Sequence, residues 1–209
     1  MLTKRTQNAA LIRHNILSFV TNSCKSRDFA SVRVTEICEA SNISKVTFFK
    51  YFDKKEDVLF LYQSILNTDI CVEVSRNNLQ SLEGLKYIID RFNKSIRETP
   101  SIARELVAGL LHTKPPILPY ILTEADREFF FPGVDFENVS IMPFIDLIEK
   151  FMLEAILNTE ISEKSDASEL ATMYISVLYG AIVASHIKGP EQQAIRFNNI
   201  CKSWLRCLN

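Results

Sequence analysis

The stretch NISKVTFFKYFDKKEDVLF, residues 42–60, combines aromatic side chains and lysines within a few helical turns. On an α-helix, Phe48 and Phe52 lie one turn apart on the same face, which predicts that both are buried. The residues between them fall on the flanks and on the opposite side. The stretch therefore predicts a short helix whose aromatic side anchors it in a core and whose other side stays free.

The free side of this helix would carry Val46, Thr47 and Lys50. These residue types suit the major groove of DNA: a lysine for guanine acceptors or phosphate, a hydroxyl for a base edge or phosphate, and an apolar surface for the thymine methyl group. A solvated helix face explains the same pattern when the segment is considered alone. The residues before it are therefore needed to choose between the two interpretations.

The preceding segment TEICEASNISK, residues 35–45, predicts a helix of about two turns followed by a tight turn. Asn42 stands in that turn, and asparagine tolerates a left-handed backbone. Ser44 is a suitable N-cap for the next helix. Small residues such as Ala40 and Ser41 allow two helices to cross closely. Together these features predict a helix-turn-helix.

The whole chain is predicted to be all-α, because apolar residues recur at helical spacing and no long alternating run suggests a sheet. Residues 132–140 are predicted to form a loop. The predicted helices span residues 5–24, 35–41, 45–52, 54–75, 82–98, 100–112, 117–129, 140–158, 166–187 and 191–207.

Charge is distributed unevenly along the 209 residues. Residues 1–60 carry ten Lys and Arg against six Asp and Glu, a net charge of +4, which leaves −5 for the remainder of a chain whose total is −1. A basic segment of this kind is a candidate partner for an anion such as nucleic acid. We therefore predict a small basic domain over residues 1–53 and a larger helical domain over residues 54–209.

The segment ILSFVTNSCKSRDFASVRVTEICEASNISKVTFFKYFDKKEDVL, residues 16–59, resembles the DNA-binding domain of TetR-family (tetracycline-repressor-like) transcriptional regulators. Asp28 and Asn42 stand where the family usually has glycine, and both residue types can adopt a positive φ. Phe49 replaces a usual tyrosine. The positions that match the family pattern are Ile16, Leu17, Val34, Ile37, Ile43, Ser44, Thr47, Phe52, Lys55 and Glu56.

The resemblance implies a homodimer that binds double-stranded palindromic DNA, most often as a repressor, and that is released by a small-molecule effector. It places Lys55 on a phosphate beside the N-terminus of the fourth helix. The residues it assigns to the DNA interface are Arg33, Thr35, Ser44, Lys45, Val46, Thr47, Phe49, Lys50, Tyr51 and Lys55.

The larger domain would bind the effector and the second subunit. Its many aromatic residues suit a hydrophobic effector, although ordinary core packing explains them as well. The candidates for the effector site are Phe92, His112, Tyr120, Phe144 and Tyr174. Stripes at helical spacing on the last two helices suggest a pairing surface, with core packing again the alternative. The candidates for the dimer interface are Leu170, Tyr174, Leu178, Ile200 and Trp204.

The sequence gives little evidence for disulfides, a metal or cofactor site, an enzyme or a membrane span. The five cysteines show no C-x-x-C spacing and are predicted to be reduced residues of a cytoplasmic protein. The three histidines are far apart, and no motif for a metal, a cofactor or a nucleophile occurs. Residues 173–187 are too short for a membrane span. We expect no enzyme, cofactor, metal site or membrane partner; the alternative is a helical small-molecule carrier or enzyme with a basic N-terminal appendage.

Overall fold

The structure is a computed structural model that describes residues 3–112, 120–189 and 191–208, with only the backbone described at residue 112. The described residues form helices joined by turns and loops and contain no β-strand, so the predicted all-α fold is confirmed. Short 3-10 helices occupy Phe29–Ser31 and Phe136–Asn138. The α-helices are α1 (Lys4–Ser23), α2 (Val34–Ala40), α3 (Lys45–Phe48), α4 (Asp57–Arg76), α5 (Ser81–Glu98), α6 (Pro100–His112), α7 (Glu124–Phe130), α8 (Phe144–Leu157), α9 (Ala167–Ile187) and α10 (Gln193–Arg206).

Two predicted helices begin at least four residues later than predicted. The helix predicted over 117–129 begins at Glu124, because Thr123 caps it and exchanges hydrogen bonds with Asp126; residues 117–119 lie outside the described part of the chain. The helix predicted from residue 140 begins at Phe144, directly after Pro143. The capping hydrogen bonds at α7 and the proline before α8 set the first turns, and the hydrophobic period reports neither.

The chain forms two compact units. The first contains Met1–Asp69 and Thr99–Asp135, and the second contains Ile70–Glu98 and Phe136–Asn209. The division falls within α4. The first unit thus combines the N-terminal helices with α6 and α7. The predicted domain boundary between residues 53 and 54 stays a prediction.

In the first unit, α1 packs against α2 and α7, and α2 packs against α3. Large apolar side chains from these helices and from the first turns of α4 fill the core, with Phe29, Phe48 and Phe52 almost completely buried. Burial of such aromatic side chains contributes about 1.5–3 kcal/mol each relative to full exposure. This core holds the helix-turn-helix in place.

In the second unit, α5 packs against α8 and α10, and α9 packs against α8 and α10. Phe151, Tyr174 and Phe197 are buried at the centre of these contacts. Among the described residues, α9 alone is long and apolar enough to cross a membrane, with a mean hydropathy of 1.6 over its most apolar window. Only 33% of that window is buried within the unit, so α9 has one face in the core and another that is apolar and exposed.

Candidate nucleic-acid interface

The turn between α2 and α3 has the predicted conformation. Asn42 adopts φ = 51°, so asparagine supplies the left-handed residue that the turn requires. The Ile43 N–H donates to the Cys38 carbonyl at 2.9 Å, which closes the turn onto the last part of α2. The predicted helix-turn-helix is therefore present in the backbone.

Ser44 begins α3 as predicted. Its hydroxyl accepts a hydrogen bond from the Thr47 N–H at 3.1 Å, and the two hydroxyls lie 2.9 Å apart. The α-helix ends at Phe48, earlier than the predicted residue 52. The reason is that the Lys50 and Tyr51 N–H groups donate to carbonyls three residues earlier, at 3.2 and 2.9 Å, which tightens the chain into a turn.

The two sides of residues 44–52, which we call the reading segment, separate as predicted. Phe48 and Phe52 are buried, with ring centroids 5.6 Å apart. Val46 is 69% exposed and Phe49 50% exposed, although both are apolar. Lys45 and Lys50 are also exposed, and Thr47 is half-buried. We call the outward side chains at positions 45, 46, 47, 49 and 50 the reading face.

The start of α2 is fixed by Glu36. Its carboxylate accepts the Arg33 N–H at 2.7 Å and two hydrogen bonds from the Arg27 guanidinium at 2.8 and 3.2 Å. These contacts, first that with Arg27, hold the pKa of Glu36 below its ordinary value. Arg33 lies exposed in front of α2, and Thr35 is half-buried in its first turn. Both are near the helix N-terminus, where anions are favoured.

Asp28, predicted to tolerate a positive φ, instead adopts φ = −70° and ψ = 141° and precedes the 3-10 helix Phe29–Ser31. An extended backbone at Asp28 is sufficient because the 3-10 helix starts at the next residue. The Asp28 carboxylate pairs with Arg104 of α6. Asp28 and Asn42, the two positions at which the family usually has glycine, thus have different backbone conformations.

The ammonium group of Lys55, which the resemblance places on a DNA phosphate, makes hydrogen bonds within the first unit. The Nζ atom donates to the carbonyl oxygens of Phe29, Ala30 and Val32 at 3.0, 3.3 and 3.1 Å. It also lies 4.4 Å from the centroid of the Phe29 ring. All three donors are used within the first unit, so Lys55 ties the residues before α4 to the 3-10 helix.

The predicted effector residues belong to different units, and their grouping into one site stays a prediction. Phe92 and Phe144 stack in the second unit with centroids 5.5 Å apart. Tyr174 is buried in the core, where its hydroxyl donates to the Leu85 carbonyl and burial raises its pKa well above the ordinary value. Tyr120 belongs to the first unit, and the side chain of His112 lies outside the described part of the chain.

A cavity of about 550 Å³ lies in the second unit at the start of α5. Its walls are polar and contain none of the predicted effector residues. Glu154 and Glu160 accept the N–H groups of Ser81 and Leu82 there, at 3.0 and 3.3 Å. The carboxylates thus satisfy the first donors of α5.

Two residues of the predicted dimer stripe on α9 face the core, and Leu170 is half-buried. Tyr174 is 1% exposed and Leu178 is fully buried, and Trp204 packs edge-to-face on Tyr174 at 5.8 Å. The outward face of α9 instead carries Met173, Val183 and Ile187, which are 53%, 45% and 77% exposed. Gly180 lies between them. We call these exposed residues of α9 the outer apolar face; Ile195 and Ile200 of α10 are also exposed.

Among the described residues, no three His, Cys, Asp or Glu side chains converge as a metal-binding cluster. The described cysteines are free, and Cys24, Cys38, Cys71 and Cys201 are buried.

Solved structures identify the fold. The chain is similar to Thermus thermophilus FadR, a TetR-family transcriptional repressor in complex with lauroyl-CoA, with 18% identity, a TM-score of 0.62 and coverage of 91% of each chain. It is also similar to a TetR-family transcriptional regulator from Chloroflexus aurantiacus, with 14% identity, a TM-score of 0.48 and coverage of 94% of this chain and 91% of that one. No protein-family model matches, and no curated sequence is significantly similar. The chain therefore has the fold of the Thermus repressor.

Proposed function

We propose that this protein is a homodimeric, TetR-type transcriptional regulator that represses by binding palindromic DNA and is released by a hydrophobic effector. The observation that carries the proposal is the reading face, which is exposed over a buried Phe48–Phe52 anchor within a helix-turn-helix. Similarity in fold to a TetR-family repressor supports it. A cytoplasmic location follows from such a role, and no enzymatic activity is assigned.

The reading face suits entry into the major groove. Lys50 offers three donors to guanine acceptors or phosphate, and the exposed Val46 side chain suits a thymine methyl group. Thr47 already shares a hydrogen bond with Ser44, but its hydroxyl retains acceptor capacity for a base or phosphate. Arg33 and Thr35 at the start of α2 would contact the backbone. Lys55 is assigned to internal support of the domain.

The outer apolar face suits a second copy of this chain. Its large side chains on α9 are separated by Gly180, where an added Cβ would meet nothing within 4 Å in the single chain. A glycine at this point would let two helices approach closely, and a pair of helices from each subunit forms a four-helix bundle. The two-fold axis would place two reading faces on successive half-sites of a palindrome.

A hydrophobic effector is proposed because the second unit contains the stacked Phe92–Phe144 pair and because the Thermus repressor was solved with lauroyl-CoA. The effector would bind preferentially to a subunit arrangement in which the reading faces no longer match the two half-sites. Mass spectrometry of the native protein would identify a co-purified molecule. Recovery of only polar molecules would contradict this part of the proposal.

A mobility-shift assay with DNA flanking the protein's own gene tests the DNA-binding function. Lys50→Ala and Thr47→Ala should alter sequence preference and weaken specific binding by about 1–3 kcal/mol each, with the salt slope of Lys50→Ala lower by about one. Lys164→Ala, which removes an exposed lysine of the second unit, is the matched control and should bind as wild type. Absence of any specific shift at moderate salt would favour a helical carrier or enzyme instead.

A further inference from the structure

A buried ion pair connects α1 to α7 within the first unit. The Arg13 Nε atom donates to the Asp126 Oδ1 atom at 2.8 Å, and a terminal guanidinium nitrogen lies 2.8 Å from the same oxygen. Asp126 is completely buried and Arg13 almost so. Two charges removed from water in this way keep a fixed geometry, because losing either partner would leave the other uncompensated.

The carboxylate of Asp126 is itself held in one orientation. Its Oδ2 atom accepts the N–H and the hydroxyl of Thr123 at 2.9 and 2.7 Å, so the group that orients Arg13 also caps α7. Packing of His14 against Phe130, with centroids 5.3 Å apart, fixes α7 against α1 one residue further along. The position of the Arg13 guanidinium therefore depends on how α7 is docked.

The other side of the guanidinium faces the reading segment. The Arg13 Cζ atom lies 5.6 Å from the centroid of the Tyr51 ring, within the range of a cation–π interaction. Tyr51 closes the turn after α3 by donating its N–H to the Phe48 carbonyl. Tyr120 shares this environment: burial raises its pKa, and the nearby Arg13 charge opposes that rise. Arg13 thus touches the end of the reading segment while lying away from its exposed face.

We propose that Arg13 is a positioning residue for DNA recognition: anchored by Asp126 of α7, it holds Tyr51 and thereby sets the orientation of the reading face. The inference rests on the proposed DNA-binding function. It makes α7, which is distant in sequence from the helix-turn-helix, part of the unit that reads DNA, so that a shift of α7 would lower affinity for the operator.

Operator binding by combined variants of the full chain tests this role. Arg13→Lys keeps the charge but removes the planar guanidinium, and it should weaken operator binding about fivefold with an unchanged salt slope, because Arg13 is buried and contacts no phosphate. Combined with Tyr51→Phe, which keeps the ring, Arg13→Lys should weaken operator binding by the same factor. Combined with Tyr51→Leu, which lacks the ring, Arg13→Lys should weaken operator binding little further. Arg97→Lys, an exposed arginine of α5, is the control.

Equal losses from Arg13→Lys in all three backgrounds, or no loss in any, would overturn the proposal. If wild type itself binds no specific DNA, the proposed function fails, and the positioning role is then decided by amide hydrogen exchange of residues 49–51. Amide hydrogen exchange also replaces the binding test if Arg13→Lys does not fold. Exchange should be faster in Tyr51→Leu than in wild type and unchanged in Tyr51→Phe. Identical exchange in all three proteins would also overturn the proposal.

Discussion

The edge of the Phe151 ring occupies the space in which a side chain at Gly84 would begin. A Cβ atom built on Gly84 would lie 2.5–2.7 Å from three ring atoms of Phe151, which is fully buried. Glycine on α5 is therefore what allows α8 to bring this ring into the core of the second unit. Because the ring is surrounded by core side chains, any shift away from an added Cβ would displace its neighbours.

We expect Gly84→Ala to destabilise the protein by about 1–3 kcal/mol, because overpacking outweighs the better helix propensity of alanine. Urea unfolding at constant protein concentration measures the change. The control is Gly109→Ala on α6, where an added Cβ meets nothing within 4 Å and a gain of up to about 1 kcal/mol is expected. Equal stabilities for the two variants would contradict the prediction.

Lys55→Met should lower the free energy of unfolding by about 1–3 kcal/mol, because three carbonyl oxygens of residues 29–32 would lose their charged donor while the apolar stem is retained. Lys54→Met, on the exposed neighbouring residue, should be close to neutral. If Lys55 instead contacts DNA phosphate, Lys55→Met would reduce the salt slope of operator binding and leave stability unchanged. The two measurements therefore separate a supporting role from a phosphate contact.

Gly180→Leu should weaken dimerisation at least about tenfold, because a large side chain would hold the paired helices apart. Position 180 is exposed and an added Cβ meets nothing within 4 Å in the single chain, so helical content should be retained. Sedimentation over a range of protein concentrations measures the dimer constant, with Gly109→Leu as control. An unchanged dimer constant would place the subunit interface away from the outer apolar face.

The thiol of Cys201 should resist alkylation in the native protein at pH 8. Burial raises its pKa to about 12, so about one molecule in ten thousand carries the reactive thiolate at that pH. Cys207, the C-cap of the same helix, is exposed and provides an internal comparison. Unfolding should make both residues equally reactive, and rapid modification of Cys201 before unfolding would contradict the buried placement.

Several features of the reading segment could be predicted because short-range chemistry determines them. The one-turn spacing of Phe48 and Phe52, the left-handed Asn42 and the N-cap Ser44 each depend on residues within about one turn. The early end of α3 could not be predicted in this way. Residues 49–51 continue the helical spacing, but the N–H groups of Lys50 and Tyr51 donate to carbonyls three residues back, an arrangement that the spacing does not report.

The all-helical fold, the helix-turn-helix and the face on which its aromatic anchor lies were determined by the sequence alone, since each follows from spacing along one segment. Only the tertiary structure decided which side of α9 is buried, where Lys55 donates its hydrogen bonds, and that Arg13 meets Asp126 across 113 residues of chain. The physical reason is that α9 is apolar on both sides and that a long cationic side chain reaches many acceptors. The elements that pack beside α9 and beside Lys55 select the buried side of the helix and the acceptors of the lysine.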